Sequence, residues 1–218
     1  MRELTLLERQ VQVEKAKLVM RKDYSPEACL AALGLQASSR LTENDLYDLL
    51  THLEIPCSSR HSQLLLNRYD SDEDGRLTCW DILQMLQPND PAFLEKRPSE
   101  EGLGLESINT LKALLTQVME TEERAERIRQ RLRGATKDLR GLFDKCDYLG
   151  RAQLTEIEIN QLLRTHPSPE QIYDLDKSLP GGFSAKEVGD LILRFNKGKQ
   201  NGRISMPEFV AELTPILI

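Results

Sequence analysis

The densest group of metal-capable side chains lies in the segment YDSDEDGRLTCWD, residues 69–81. Its acids are Asp70, Asp72, Glu73, Asp74 and Asp81. The segment holds one basic residue, Arg76, and like charges at this density repel each other in water. Leu77 and the only tryptophan of the chain, Trp80, nevertheless lie among them. This combination raises the hypothesis of a folded loop that gathers negative charge around a cation.

The end of this segment belongs to a pattern of the form apolar, Ser or Thr, two residues, then Asp or Glu. Its copies are RLTEND (40–45), RLTCWD (76–81), QLTEIE (153–158), GFSAKE (182–187) and RISMPE (203–208). A hydroxyl followed three residues later by an acid forms a capping box at a helix start. Each copy therefore predicts the first turn of a helix, and together they indicate an internal repeat.

The repeat also relates the two halves of the chain. An offset of 127 residues lays Leu64–Leu86 on Leu191–Leu213 without a gap, with Gly75 on Gly202 and Leu77 on Ile204. The shared unit is an apolar helix, a short loop with a glycine, and a capped helix. The pattern predicts an all-α fold built from helix–loop–helix pairs.

Four segments follow from this repeat. They are an N-terminal lobe with a leading helix (1–90), a Pro- and Gly-containing linker (91–106), a connecting helix (107–135) and a C-terminal lobe (136–218). The connecting helix starts with an apolar stripe and becomes highly charged after Met119. We favour a solvated helix between the lobes for its charged part, with a partner-binding helix as the alternative.

Calcium takes six to eight oxygen ligands, and a 12-residue loop supplies them from positions 1, 3, 5, 7, 9 and 12, with glycine at position 6. Counted from Asp70, Gly75 occupies position 6 and Leu77 the apolar position 8. The predicted metal ligands are Asp70, Asp72, Asp74, the backbone carbonyl of Arg76, Thr78 through a water molecule, and Asp81.

This loop, DSDEDGRLTCWD between LLLNRY and ILQML, resembles those of the EF-hand superfamily. The two-lobed arrangement is similar to that of calmodulin and its relatives. The resemblance covers most of residues 24–90 and 136–213, and it implies two EF-hand pairs and bound Ca²⁺. The family usually places glutamate at position 12, whereas this chain has the shorter Asp81. We therefore expect weak calcium binding, about 10⁻⁵ M or weaker, with competition from Mg²⁺.

The other loops lack a comparable set of ligands. Residues 34–45 (GLQASSRLTEND) have no carboxylate at positions 1, 3 or 5 and form the expected silent partner of 70–81, with Leu41 and Leu77 meeting in an antiparallel bridge. A loop at 147–158 places Leu149 and Arg151 at ligand positions, and 197–208 begins with two lysines at positions 1 and 3. Both are predicted not to bind metal.

The copy at 182–187 has two interpretations. Residues 176–187 thread as a fifth loop with Asp176, Ser178 and Glu187 as ligands, but Pro180 then occupies position 5. The favoured interpretation is that Ser184 caps a helix that ends near Phe195.

Composition excludes other classes of function. The net charge of −6 disfavours nucleic acid as a partner, and no apolar run approaches the roughly 20 residues of a membrane-spanning helix. The four cysteines form no CxxC pair and lie at no zinc spacing. The sequence contains no catalytic constellation, so we expect no enzyme activity.

Two functions remain open. One is a calcium-binding regulator that exposes apolar surface to a partner helix. The other is a constitutive subunit of a multi-subunit assembly with vestigial EF-hands. The charged helix ahead of each pair resembles that of EF-hand proteins of protists, including ciliary ones. That resemblance implies a cytoplasmic location and a cytoskeletal or axonemal setting.

Overall fold

The computed structural model of the chain describes residues 1–93, 102–136, 138–165, 183–198 and 201–217, which are mostly helical. This confirms the predicted helical class. The helices, in chain order, are α1 (Arg2–Val19), α2 (Pro26–Ala32), α3 (Glu43–His52), α4 (Ser59–Tyr69), α5 (Cys79–Leu86), α6 (Leu105–Ala135), α7 (Leu139–Cys146), α8 (Glu156–Thr165), α9 (Ala185–Phe195) and α10 (Met206–Leu213). A short 3₁₀ turn covers Pro91–Phe93.

Two short antiparallel pairings connect the loops between helices. Strand β1 (Arg40–Leu41) pairs with β2 (Leu77–Thr78), and Leu41 lies opposite Leu77 as predicted. Strand β3 (Gln153–Thr155) pairs with β4 (Arg203–Ser205), which places Leu154 opposite Ile204. The helices that follow β2 and β4, α5 and α10, are related by the 127-residue offset at both ends. The sequence repeat is therefore a structural repeat.

The predicted capping boxes form at the starts of these helices. Thr42 with Asp45, Thr78 with Asp81, Ser184 with Glu187 and Ser205 with Glu208 each make the reciprocal bonds. At the fifth copy, Glu158 Oε2 accepts hydrogen bonds from the Thr155 backbone N–H and hydroxyl. Ser184 caps a helix that ends at Phe195, as favoured from sequence. Residues 176–182, needed for the fifth-loop interpretation, lie outside the described residues.

The chain forms two compact units. The larger unit contains Gln10–Arg127 with Ile216–Ile218, and the smaller contains Met1–Arg9 with Ile128–Pro215. The first nine residues thus belong to the same unit as residues 128–215. Within the smaller unit, Glu3 contacts Arg131 and Glu8 contacts Arg194, which explains the grouping. Helix α6 contributes residues to both units.

The larger unit buries an apolar core beneath its two loops. Leu50, Leu65, Leu77 and Leu86 are each fully buried in it. The apolar stripe of α6 joins the same core through Leu111, Leu114, Leu115, Val118 and Met119. The residues beneath the loops are thus held by the pairing of β1 and β2 and by the helices on either side.

The core of the smaller unit combines aromatic packing with buried ion pairs. Phe209 packs edge-on against Phe143 at 5.4 Å and stacks on Phe195 at 5.8 Å, measured between ring centroids. Arg194 is almost fully buried, and it contacts Glu212 at 2.8 Å and Glu8 at 3.3 Å. These contacts tie α1, α9 and α10 together inside the unit.

The prediction that the charged part of α6 is a solvated face is wrong for one side of the helix. Glu122, Glu126 and Arg129 are buried, and each has a partner within its own unit. Glu122 lies 3.8 Å from Arg68, Glu126 accepts backbone N–H groups of Ile216 and Leu217, and Arg129 contacts Glu212 at 2.9 Å. Buried charges are tolerated when they are paired in this way.

Candidate metal site

The acidic loop of residues 70–81 begins where α4 ends. Asp70 is the C-terminal cap of that helix and donates its backbone N–H to Leu66 O at 2.9 Å. Glu73 and Gly75 then adopt positive φ angles of 61° and 81°. Glycine adopts such a conformation without the steric cost of a side chain. The chain reverses direction at these two residues before β2 begins at Leu77.

The loop brings together three of the predicted ligand residues. One carboxylate oxygen each from Asp70, Asp72 and Asp74 lies within 4.8 Å of the others, close enough for one ion to contact all three. Asp70 is 6 % exposed, whereas Asp72 and Asp74 are exposed. No other such group of His, Cys, Asp or Glu occurs among the residues that the structure describes.

Backbone N–H groups hold two of these carboxylates in the loop. Gly75 N–H donates to Asp70 Oδ2 at 2.8 Å, and Arg76 N–H donates to Asp74 Oδ1 at 2.9 Å. Burial raises the pKa of Asp70, and a hydrogen bond with Asp72 raises it further, while the bond from Gly75 opposes the shift. A raised pKa means that this site holds negative charge at a cost, and a bound cation would offset that cost.

Asp81 lies outside this group of three. Its Oδ2 accepts the Thr78 backbone N–H at 2.8 Å and the Thr78 hydroxyl at 2.6 Å. Its Oδ1 accepts the Ser71 hydroxyl at 2.7 Å, and the side chain is almost fully buried. Both oxygens of the predicted position-12 ligand are therefore engaged in protein hydrogen bonds, as is the hydroxyl of Thr78.

Two residues at the site were not identified from the sequence. Ser71 contacts Asp81, and Arg40, from the other loop of the pair, lies 3.1 Å from Asp74 Oδ2. For Arg40 a sequence signal existed, because it occupies the same place relative to its capping box as Arg76 does. For Ser71 we find no comparable signal in the sequence.

The partner loop of the same unit is closed by its own hydrogen bonds. Gly34 has a φ of 70°, and the Gln36 backbone N–H donates to Ser39 Oγ at 2.9 Å. The Cys79 thiol donates to Gln36 O at 2.7 Å, which links this loop to the start of α5. Residues 34–45 contain no cluster of three converging carboxylates like the one formed by Asp70, Asp72 and Asp74.

The two loops of the smaller unit also use polar side chains for closure. Asp147 accepts the backbone N–H groups of Arg151 at 3.0 Å and Ala152 at 2.6 Å. In the described part of the last loop, Asn201 Oδ1 accepts from Asn196 Nδ2 at 3.0 Å and from the Arg203 N–H at 3.1 Å. Side chains of the protein therefore close the described parts of these two loops.

The chemistry of the donor set at 70–74 fits a hard divalent cation, because all its side-chain donors are carboxylate oxygens.

No described helix combines the length and apolar content required to cross a membrane. Neither a family model nor a curated protein sequence matches this chain.

Proposed function

We propose that residues 70–81 bind Ca²⁺ and that this chain is a two-lobed EF-hand protein of the calmodulin kind. The convergence of oxygens from Asp70, Asp72 and Asp74 within 4.8 Å is the observation that carries the proposal. The paired loops joined at Leu41 and Leu77 support it further. The ion would add positive charge at the point where the three carboxylates converge.

In this proposal each predicted ligand residue of the loop has a defined role. Asp70, Asp72 and Asp74 hold the ion with carboxylate oxygens, and Arg76 contributes its backbone carbonyl. Thr78 and Asp81 complete the ligand set only if they give up the hydrogen bonds that now join them. That rearrangement costs free energy, which supports weak affinity, about 10⁻⁵ M or weaker.

Metal binding would act on a protein partner through the helices next to the loop. Helix α5 starts at Cys79, within the last part of the 70–81 loop, so its first turn carries both Asp81 and Trp80, which is 63 % exposed. A change in the loop that draws Asp81 toward an ion moves the first turn of α5 and this aromatic side chain. The partner we propose is a protein helix that contacts apolar surface of this unit.

Calorimetric titration of the metal-stripped chain with CaCl₂ tests the proposal, with Trp80 emission as a second readout. We expect one site per chain, lost in Asp70→Asn and retained in Asp48→Asn, which removes the same charge from an exposed position on α3. No binding through millimolar calcium would overturn the proposal. An equal response to MgCl₂ would instead identify a structural site that is not selective for calcium.

A constitutive assembly subunit, in a cytoskeletal or axonemal complex, is the second candidate function. Two observations favour it. Asp81 is already engaged in hydrogen bonds, and hydrogen bonds of Asp147 and Asn201 stabilise the described loops of the smaller unit without an ion. Size measurement after mild extraction from the native source tests this candidate. Recovery solely as a free monomer would count against it.

A further inference from the structure

The partner loop (residues 34–45), which has no carboxylate at positions 1, 3 or 5, places an arginine guanidinium against the acidic loop (residues 70–81). Arg40 lies opposite Thr78 in the β1–β2 pairing, and its Nη1 is 3.1 Å from Asp74 Oδ2. Asp74 is one of the three carboxylates that converge on the candidate site. The pairing register thus places a guanidinium from residues 34–45 against a ligand of residues 70–81.

We propose that Arg40 sets the metal affinity of the 70–81 loop by competing with the divalent ion for Asp74. This inference rests on the proposed function of that loop. In the metal-free chain the guanidinium offsets part of the repulsion among Asp70, Asp72 and Asp74. A divalent ion takes over that role, so it must displace Arg40 from Asp74 Oδ2 or share the carboxylate with it, and either process weakens binding.

The expected effect of Arg40 on calcium affinity is small, because both side chains of the ion pair are partly exposed to solvent. The side chains of Arg40 and Asp74 are 53 % and 37 % exposed, so water and salt screen their attraction. Ion pairs of this kind contribute little, and removing the competitor should tighten calcium binding by roughly two- to fivefold at low salt. The same reasoning gives the first loop a role, because occupancy of one loop changes the contacts of the other.

Calcium titration calorimetry of full-length variants tests the inference. Arg40→Gln should bind Ca²⁺ more tightly than the unchanged chain at low salt, and Arg40→Lys should stay close to it. Arg60→Gln is the matched control, because Arg60 is an exposed arginine at the opposite end of α4 from Asp70. The gain in Arg40→Gln should shrink in 0.5 M KCl, where the Debye length falls to about 4 Å.

A second readout follows Arg40 directly. In ¹⁵N-labelled protein the Arg40 Nε resonance should shift when CaCl₂ is added, and Asp74→Asn should shift it in the metal-free chain. Equal calcium affinity in Arg40→Gln and Arg60→Gln, or an Arg40 signal unmoved while the loop binds, would overturn the inference alone. Absence of calcium binding in every variant would overturn the proposed function and this inference together.

Discussion

Leu41 and Leu77 lie directly opposite each other in the antiparallel pairing of β1 and β2. Leu77 is fully buried and Leu41 is 9 % exposed. Each precedes the Thr that caps a helix, Thr42 for α3 and Thr78 for α5. The strand pairing and the shared core therefore hold the starts of α3 and α5 next to each other, at the end of the loop that carries the candidate ligands.

Leu77→Ala should destabilise the larger unit by about 2–5 kcal/mol, because it removes a fully buried side chain and leaves a cavity under the loop. Urea unfolding followed by circular dichroism measures the loss. Leu105→Ala is the control, since that side chain is 75 % exposed and should change the free energy of unfolding by less than about 0.5 kcal/mol. Equal effects of the two variants would show that Leu77 does not anchor the pairing.

Asp81→Glu should raise calcium affinity by about tenfold, because the longer side chain can keep its capping bond and still reach an ion with both oxygens. Glutamate is compatible with the box, as Glu187 and Glu208 form the same bonds. Calorimetry with CaCl₂ and MgCl₂ measures the change and the selectivity. Asp45→Glu, at the matching place in the partner loop, should leave metal binding unaltered, and a comparable gain there would contradict the ligand assignment.

Asp23→Asn should lower the stability of the larger unit at pH 7 by roughly 1 kcal/mol. The Ser107 hydroxyl donates to Asp23 Oδ1 at 2.6 Å and the Gly104 N–H to Oδ2 at 2.7 Å, and these bonds lower the pKa of Asp23. An acid whose pKa is lower in the folded state stabilises the fold above its unfolded pKa, and this contribution disappears on acidification.

The difference between the unchanged chain and Asp23→Asn should therefore be full at pH 6–7, begin to decline near the ordinary aspartate pKa of about 3.9, and disappear once the pH falls below the lowered pKa of Asp23 in the folded chain. Thermal unfolding at a series of pH values measures it. Asp48→Asn, an exposed change on α3, provides the baseline. A difference that persists undiminished at low pH would mean that the carboxylate charge of Asp23 is not its cause.

Glu212→Gln should cost about 3–5 kcal/mol in the smaller unit, because it leaves buried Arg194 and Arg129 without the carboxylate that both contact. Denaturant unfolding of the full chain measures the loss. Arg9→Gln breaks the ion pair between Arg9 and Glu187. Because the side chain of Arg9 is 50 % exposed, this change should lower the free energy of unfolding by less than about 1 kcal/mol. Similar losses of unfolding free energy in both variants would show that the buried ion pairs of Glu212 are no more important for stability than an exposed one.

The sequence by itself determined the features that depend on neighbouring residues. Thr78 and Asp81 are three positions apart, so their capping box follows from local chemistry alone, and the same holds for the other copies. The 127-residue offset and the meeting of Leu41 with Leu77 followed from the repetition of that local pattern. Gly75 was identified from its place at position 6 of the loop pattern, and its φ of 81° is one that glycine adopts without steric cost.

The tertiary structure alone decided the contacts between distant residues. Arg40 reaches Asp74 because β1 pairs with β2, and the buried charges of α6 have partners far away in the sequence, such as Arg68 and Glu212. A mixed-sign charge run has the same sequence pattern whether water or buried partners satisfy it. The repeat located the strand pairing, but which charged side chains meet across it and which become buried depends on the packing of the whole chain.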